Sequence, residues 1–193
     1  YFVDMYDLLL FSIVRVASLK SIGVPDSEML SAGMKLINLQ MTGLFIGGFL
    51  WGWLGDRLGR LSVLWASIFL YSIANLANAF VQDLETYGVL RLIAGIGLAG
   101  ELGAAVTLVS ESLPTRLRGY GAMIIAAVGM AGTVAAGTAA EIFDWRTCYA
   151  IGGGMGLLLL LARIGVRESP IFLKRSENWG DLRLLFLSPK RLW

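Results

Sequence analysis

Histidine is absent from this 193-residue sequence, and cysteine occurs once, at Cys148. The first absence excludes a Ser-His-Asp triad, a Cys-His dyad and any imidazole-ligated metal site from this segment, and leaves carboxylates to do any proton chemistry. The second excludes an internal disulfide and a thiolate metal cluster, so Cys148, set in an apolar run, reads as a small packing residue. Neither a metal nor a cofactor is expected. Charge is also scarce: charged residues make up 16% of the chain, against about a quarter in soluble domains. A net charge of +2 is too small to call for a nucleic-acid partner. Proline is limited to 4 residues. What remains is 56% hydrophobic, with a mean hydropathy of +0.70 and 24 glycines. Water is not the main solvent of such a chain, and its glycines suit helices packed closely through small side chains.

A helix needs about 20 largely apolar residues to cross a bilayer. Five segments satisfy this directly, at about 36–54, 61–81, 87–110, 120–140 and 147–166. A sixth, at about 1–22, is continuously apolar only from Leu8 to Val14 and contains Asp4, Asp7 and Arg15. The bundle is therefore expected to occupy 1–166, with 167–193 as a partly amphipathic linker whose last residues, Leu182 to Trp193, lead toward a further helix. The chain begins at Tyr1 rather than at a methionine and reads as a segment of a longer protein, with no legible signal peptide.

The loops alternate in charge. Asp56, Arg57 and Arg60, then Arg116 and Arg118, then Arg167, Lys174 and Arg175 fall on one side. Asp26 and Glu28, Asp83 and Glu85, and Glu141, Asp144 and Arg146 fall on the other. The positive-inside rule makes the first set cytoplasmic and predicts a multi-pass protein of the plasma or inner membrane. Glycines at close-packing spacing recur, as in Gly43-x-x-x-Gly47 and Gly48-x-x-x-Gly52. Gly59-Arg60-Leu61-Ser62 and Trp145-Arg146-Thr147-Cys148 occupy corresponding places in two triplets of helices, which points to a 3+3 inverted repeat.

The most specific pattern is Gly52-Trp53-Leu54-Gly55-Asp56-Arg57-Leu58-Gly59-Arg60. Gly52 and Gly59 would permit a tight turn and close helix approach, and Asp56, Arg57 and Arg60 stand where charges bind or release a neighbouring helix end. This stretch resembles the signature loop of the major facilitator superfamily, with Leu61 in place of a second base. Glu111 and Arg118 resemble the acid-to-arginine spacing of sugar porters. Arg167-Glu168-Ser169-Pro170 is similar to their Pro-Glu-Ser-Pro element, with Arg167 in place of the first proline. Asp4-Met5-Tyr6-Asp7 resembles the paired aspartates of aromatic-acid and sialate proton symporters. The resemblance implies an all-α membrane fold: six transmembrane helices, half of a twelve-helix alternating-access transporter whose other half is its C-terminal partner. Gly52, Asp56, Arg57, Gly59, Arg60, Glu111 and Arg118 would form the cytoplasmic gate.

The first helix can be read without that resemblance. At about 100° per residue, Asp4, Asp7, Phe11 and Arg15 share one face. Ionisable groups in a membrane cost several kcal/mol unless paired or wet, so this face must turn inward and is a functional candidate. A surface amphipathic helix would carry a broad lysine-rich face, not a narrow one of mixed sign. Arg91 begins a segment resembling that of sugar/proton symporters whose arginine pairs with the first-helix aspartate, which implies an Arg91–Asp7 pair. Counting 1.5 Å per residue from the outer helix ends instead sets Asp7 level with Glu101, and Arg15 level with Arg91, so the partner of Asp7 stays open. The expected function is proton-coupled uptake of a small organic solute, with an organic anion favoured over a sugar. Arg15 and Arg91 would hold a carboxylate, Asp7, Glu101 or Asp4 would exchange the proton, and Tyr6, Phe11 and Gln40 would line the site. The rivals are a non-transporting sensor or scaffold on the same fold, and a membrane enzyme, for which no nucleophile beside a base is visible.

Overall fold

Long apolar runs separated by short charged loops fold here into six helices. They are α1 (Phe2–Ser21), α2 (Met29–Leu58), α3 (Arg60–Asn78), α4 (Leu84–Ser112), α5 (Arg118–Ile142) and α6 (Trp145–Ala162), with a single 3-10 turn, Thr115–Leu117, before α5. The computed structural model describes residues 1–162, with the side chains of Arg60, residues 102–112 and Thr115 left aside. The expected linker at 167–193, including Arg167-Glu168-Ser169-Pro170, and the end of the sixth predicted span lie outside the described residues. There is no strand among the described residues.

α2, α4 and α5 run past the predicted spans at both ends, whereas α3 ends at Asn78, short of the expected 81. α2 has 30 residues and starts at Met29, because polar Ser31 and Lys35 end an apolar run without ending a helix. By length and apolarity alone, Leu61–Asn78, Arg118–Ile142 and Trp145–Ala162 qualify as membrane spans among the described residues. α2 carries the polar Gln40, and α4 carries Arg91 and Glu101. All three side chains are buried in the bundle, which removes them from lipid.

The pairing of helices is non-local. α1 packs on α5, α2 on α4, and α3 lies between α4 and α6, with α6 also touching α1. Exchanging the first triplet for the second converts α1–α5 into α4–α2 and α3–α4 into α6–α1, and leaves α3–α6 unchanged. A triplet of spans ends on the side opposite to its start, so the second copy is inverted, as the corresponding loops suggested.

Glycine sets the closest approach. A Cβ on Gly95 would strike the Gln40 carbonyl and one on Gly43 the Leu92 carbonyl, so α2 and α4 meet backbone to backbone. The second pair of the same spacing behaves differently. A Cβ on Gly48 or Gly52 would meet nothing within 4 Å among the described residues, so the expected close packing through them is not seen there. Gly59 links α2 directly to α3 at φ +97°, a conformation that L side chains rarely adopt.

At the opposite end of the bundle Arg146 ties three elements together. Its guanidinium stacks 4.1 Å from the Trp145 ring and donates to Ser21 Oγ at 3.0 Å and to the Val81 carbonyl at 2.8 Å. Arg146→Ala is expected to destabilise the full-length protein by about 1–3 kcal/mol through the loss of these hydrogen bonds. Thermal melting in detergent, against an Arg146→Lys variant that recovers only part of the loss, checks this. Nearby, Asp83 accepts from the Thr86 amide at 2.8 Å and starts α4, and the hydrogen bonds it receives, first that one, hold its carboxyl below the usual carboxylate range.

Candidate functional site

The ionisable groups of α1 and α4 meet through a residue of α3. Asp7 is 4% exposed, Arg91 1% and Asn75 0%. Arg91 Nη2 donates to Asn75 Oδ1 at 2.7 Å, and Asn75 Nδ2 donates to Asp7 Oδ2. A guanidinium only donates and a carboxylate only accepts, so an amide, which does both, fits between them in one orientation. Among the described residues no direct ion pair joins Asp7 to Arg91. Asp7 Oδ1 and Arg91 Nε have no hydrogen-bond partner. A side-chain-free position faces Asp7 across the interface: a Cβ on Gly152 of α6 would lie 2.9 Å from Asp7 Oδ1.

Aromatic rings complete the surroundings of Arg91. Its guanidinium carbon lies 4.7 Å from the centroid of Tyr149, 5.5 Å from Phe11 and 6.0 Å from Tyr87. Such ring faces attract a cation without neutralising it. The Tyr149 and Tyr87 hydroxyls are 2.8 Å apart. Tyr87 donates to Ser18 Oγ at 3.1 Å and Ser18 to the Arg15 carbonyl at 2.9 Å, which leaves Tyr149 as the donor to Tyr87. Tyr6 donates across the bundle to the Cys148 carbonyl at 3.1 Å. Cys148 is itself buried, and its thiol donates to the Ala139 carbonyl at 3.4 Å, a packing arrangement.

Arg15 and Arg91 have different surroundings. Arg15 is partly exposed and lies against Gly33 of α2, while Arg91 is enclosed among α1, α3 and α6. A two-arginine clamp on one carboxylate is not the arrangement seen. Phe11 is a wall of the Arg91 enclosure, and Gln40 is buried where α2 meets α4. Asp4 and Glu101 are both fully buried, at 0% exposure.

The depth count set Arg91 a layer above Asp7, and the Asn75 side chain joins the two. Asn75 had no distinguishing signal, since it is one amide in a helix that also carries Asn78.

At the other end, the Arg57 guanidinium lies 4.6 Å from the Trp53 ring, and Asp56 is partly buried. Arg118 starts α5 and donates from Nε to the Leu113 carbonyl at 3.4 Å. Gly52 is exposed and makes no close approach among the described residues. The side chains of Arg60 and Glu111 lie outside the described residues.

Six helices in an inverted 3+3 arrangement, around a buried core of charge, define half of a multi-pass membrane transporter. The chain belongs to the Major Facilitator Superfamily, whose profile matches residues 2–193, and that family consists of transporters rather than enzymes. The niacin transporter NiaP of Acinetobacter baylyi is 34% identical over 147 residues, covering 74% of this chain and 34% of NiaP. The 3-(3-hydroxy-phenyl)propionate transporter of Escherichia coli is 31% identical over 148 residues, covering 75% of this chain and 37% of that protein. In fold, the chain is similar to the inward-open xylose transporter XylE of Escherichia coli, with a TM-score of 0.79 at 20% identity, over 99% of this chain and 51% of XylE. The chain thus spans about a third of those two curated relatives and about half of the solved structure.

Proposed function

We propose that this bundle, joined to a C-terminal half, carries a small organic anion together with a proton across the plasma or inner membrane by alternating access, with its basic loops in the cytoplasm. The observation that supports the reading most is the Asp7–Asn75–Arg91 unit. It keeps a carboxylate, with one oxygen free to take a proton, close to a cation but out of a direct ion pair. A direct salt bridge would hold the carboxylate in its charged form, and isolation from all charge would hold it neutral. The intervening amide fits a group that must alternate between the two. Asp7 is the proton carrier in this reading, and Arg15, the partly exposed cation of α1, meets the substrate carboxylate. Arg91 biases Asp7 from within the bundle.

Two similar proteins are named for niacin and for 3-(3-hydroxy-phenyl)propionate, both carboxylic acids, which favours an acid over a neutral sugar. The test is uptake by the full-length protein in proteoliposomes with an inward proton gradient, offering niacin, 3-(3-hydroxyphenyl)propionate and xylose. Accumulation of an acid that collapses with the proton gradient is expected, while accumulation of xylose alone would replace the reading with a sugar symporter. Arg15→Gln is expected to raise KM for the acid tenfold or more, about 1.4 kcal/mol, with a smaller change in maximal rate.

A further inference from the structure

The polar interior of this bundle does not stop at Asp7. One turn before Asn75 on α3 come Tyr71 and Ser72, both 0% exposed, and neither Tyr71 Oη nor Ser72 Oγ has a hydrogen-bond partner outside this pair. Both oxygens lie against one point of α6: a Cβ on Gly156 would come within 2.9 Å of Tyr71 Oη and closer still to Ser72 Oγ. Gly152, one turn along the same face, meets the unpartnered Asp7 Oδ1. Three buried oxygens, none with a partner outside this set, thus line a strip of α6 that carries no side chain. Burying one such group costs about 1–3 kcal/mol, so three in a row on a cleared strip are not accounted for by packing.

The strip has a direction. α3 and α4 run antiparallel, so moving back from Asn75 to Tyr71 corresponds to moving forward on α4 from Arg91 toward Glu101, about 15 Å further along the helix. Tyr71 packs on α4 one turn before Glu101: a Cβ on Gly97 would lie 2.7 Å from Tyr71 Cβ, and Glu101 follows four residues on. The ionisable groups around Tyr71 are Asp4 and Asp7 from α1, and Arg91 and Glu101 from α4. From α6 it faces glycine, with Tyr149 beyond, at Arg91.

We propose that Tyr71 and Ser72 form a proton relay along the glycine face of α6, which carries the proton from Asp7 to Glu101 inside this half, apart from the path of the substrate. This deepens the reading of Asp7 as proton carrier and rests on it. In the transfer, protonated Asp7 gives its proton to the hydroxyl chain. Tyr71 passes its own hydroxyl proton to the Glu101 carboxylate and is reprotonated from the Asp7 side, so Asp7 ends charged, Glu101 neutral and Tyr71 unchanged. Asp7 Oδ1 and the two hydroxyls are set about one helical turn apart along α6, roughly 5.4 Å, a gap that one water closes.

The test needs no substrate. Full-length protein in liposomes is given a pH jump on the cytoplasmic side, and carboxyl protonation is followed by time-resolved infrared absorption. Asp7→Asn and Glu101→Gln identify the two bands. Tyr71→Phe, which keeps the ring, is expected to slow the Asp7 band tenfold or more without changing its final amplitude, and Ser72→Ala is expected to slow it less. Unchanged Asp7 kinetics in both variants would overturn the relay while leaving Asp7 as carrier. Loss of amplitude in step with a lowered melting temperature would overturn it in favour of a structural role for Tyr71. An Asp7→Asn protein that keeps every carboxyl band would overturn the reading of Asp7, and the relay with it.

Discussion

Replacing Asp7 by asparagine is expected to abolish uphill, pH-driven accumulation of substrate by the full-length transporter, while downhill exchange of labelled for unlabelled substrate continues at a substantial fraction of the parent rate. The amide has the shape of the protonated acid and still accepts from Asn75 Nδ2 through its own oxygen, so the helices α1 and α3 stay joined. What it cannot do is release and regain a proton. The segment has no histidine to take over that task, and Asp7 is the carboxylate that Asn75 joins to Arg91. The measurement is paired: accumulation against a gradient, and counterflow at equal pH. If Asp7→Asn still concentrates substrate with the parent's pH dependence, Asp7 is a structural charge and coupling belongs to another group.

The second large effect is on folding. Gly95→Leu is expected to prevent assembly of the bundle, and even Gly95→Ala to destabilise it by about 3 kcal/mol or more. The added Cβ meets the carbonyl of Gln40 and not a side chain that can turn aside. Backbone has nowhere to go without separating α2 from α4, the broadest interface in the half. Gly154→Ala is the control, because nothing lies within 4 Å of that position. There the change should be neutral or stabilising by up to about 1 kcal/mol, through helix propensity alone. Melting temperature and monodispersity of the full-length protein compare the two, and equal behaviour would refute the close-approach argument.

Those two glycines also show how far the sequence could be read. The helices themselves were legible because apolar runs of the right length leave few alternatives. Their ends were not, because a helix continues through polar residues such as Lys35 when it has left the apolar zone. Gly43 and Gly48 carry the same motif spacing, yet only the first faces α4. Spacing marks a face and not what covers it. At the site, Asp7 and Arg91 stood out because a charge in an apolar run demands a partner. The connecting Asn75 did not, since a neutral amide in a membrane helix makes no comparable demand. The depth count set Arg91 and Asp7 on different levels and could not supply the side chain that joins them.

The order in which the helices find each other bears on how this protein is made. Tyr6 and its acceptor Cys148 are 142 residues apart, and α1 finds its main neighbours only in α5 and α6. At typical synthesis rates of 5–20 residues per second, the ribosome needs roughly 7 to 30 seconds to travel between them. Through that interval α1 has left the ribosome without the α5 and α6 surfaces that pack on it, although Gly33 of α2 and Asn75 of α3 reach Arg15 and Asp7 earlier. Full enclosure of this helix is therefore set by the arrival of sequence far downstream of it.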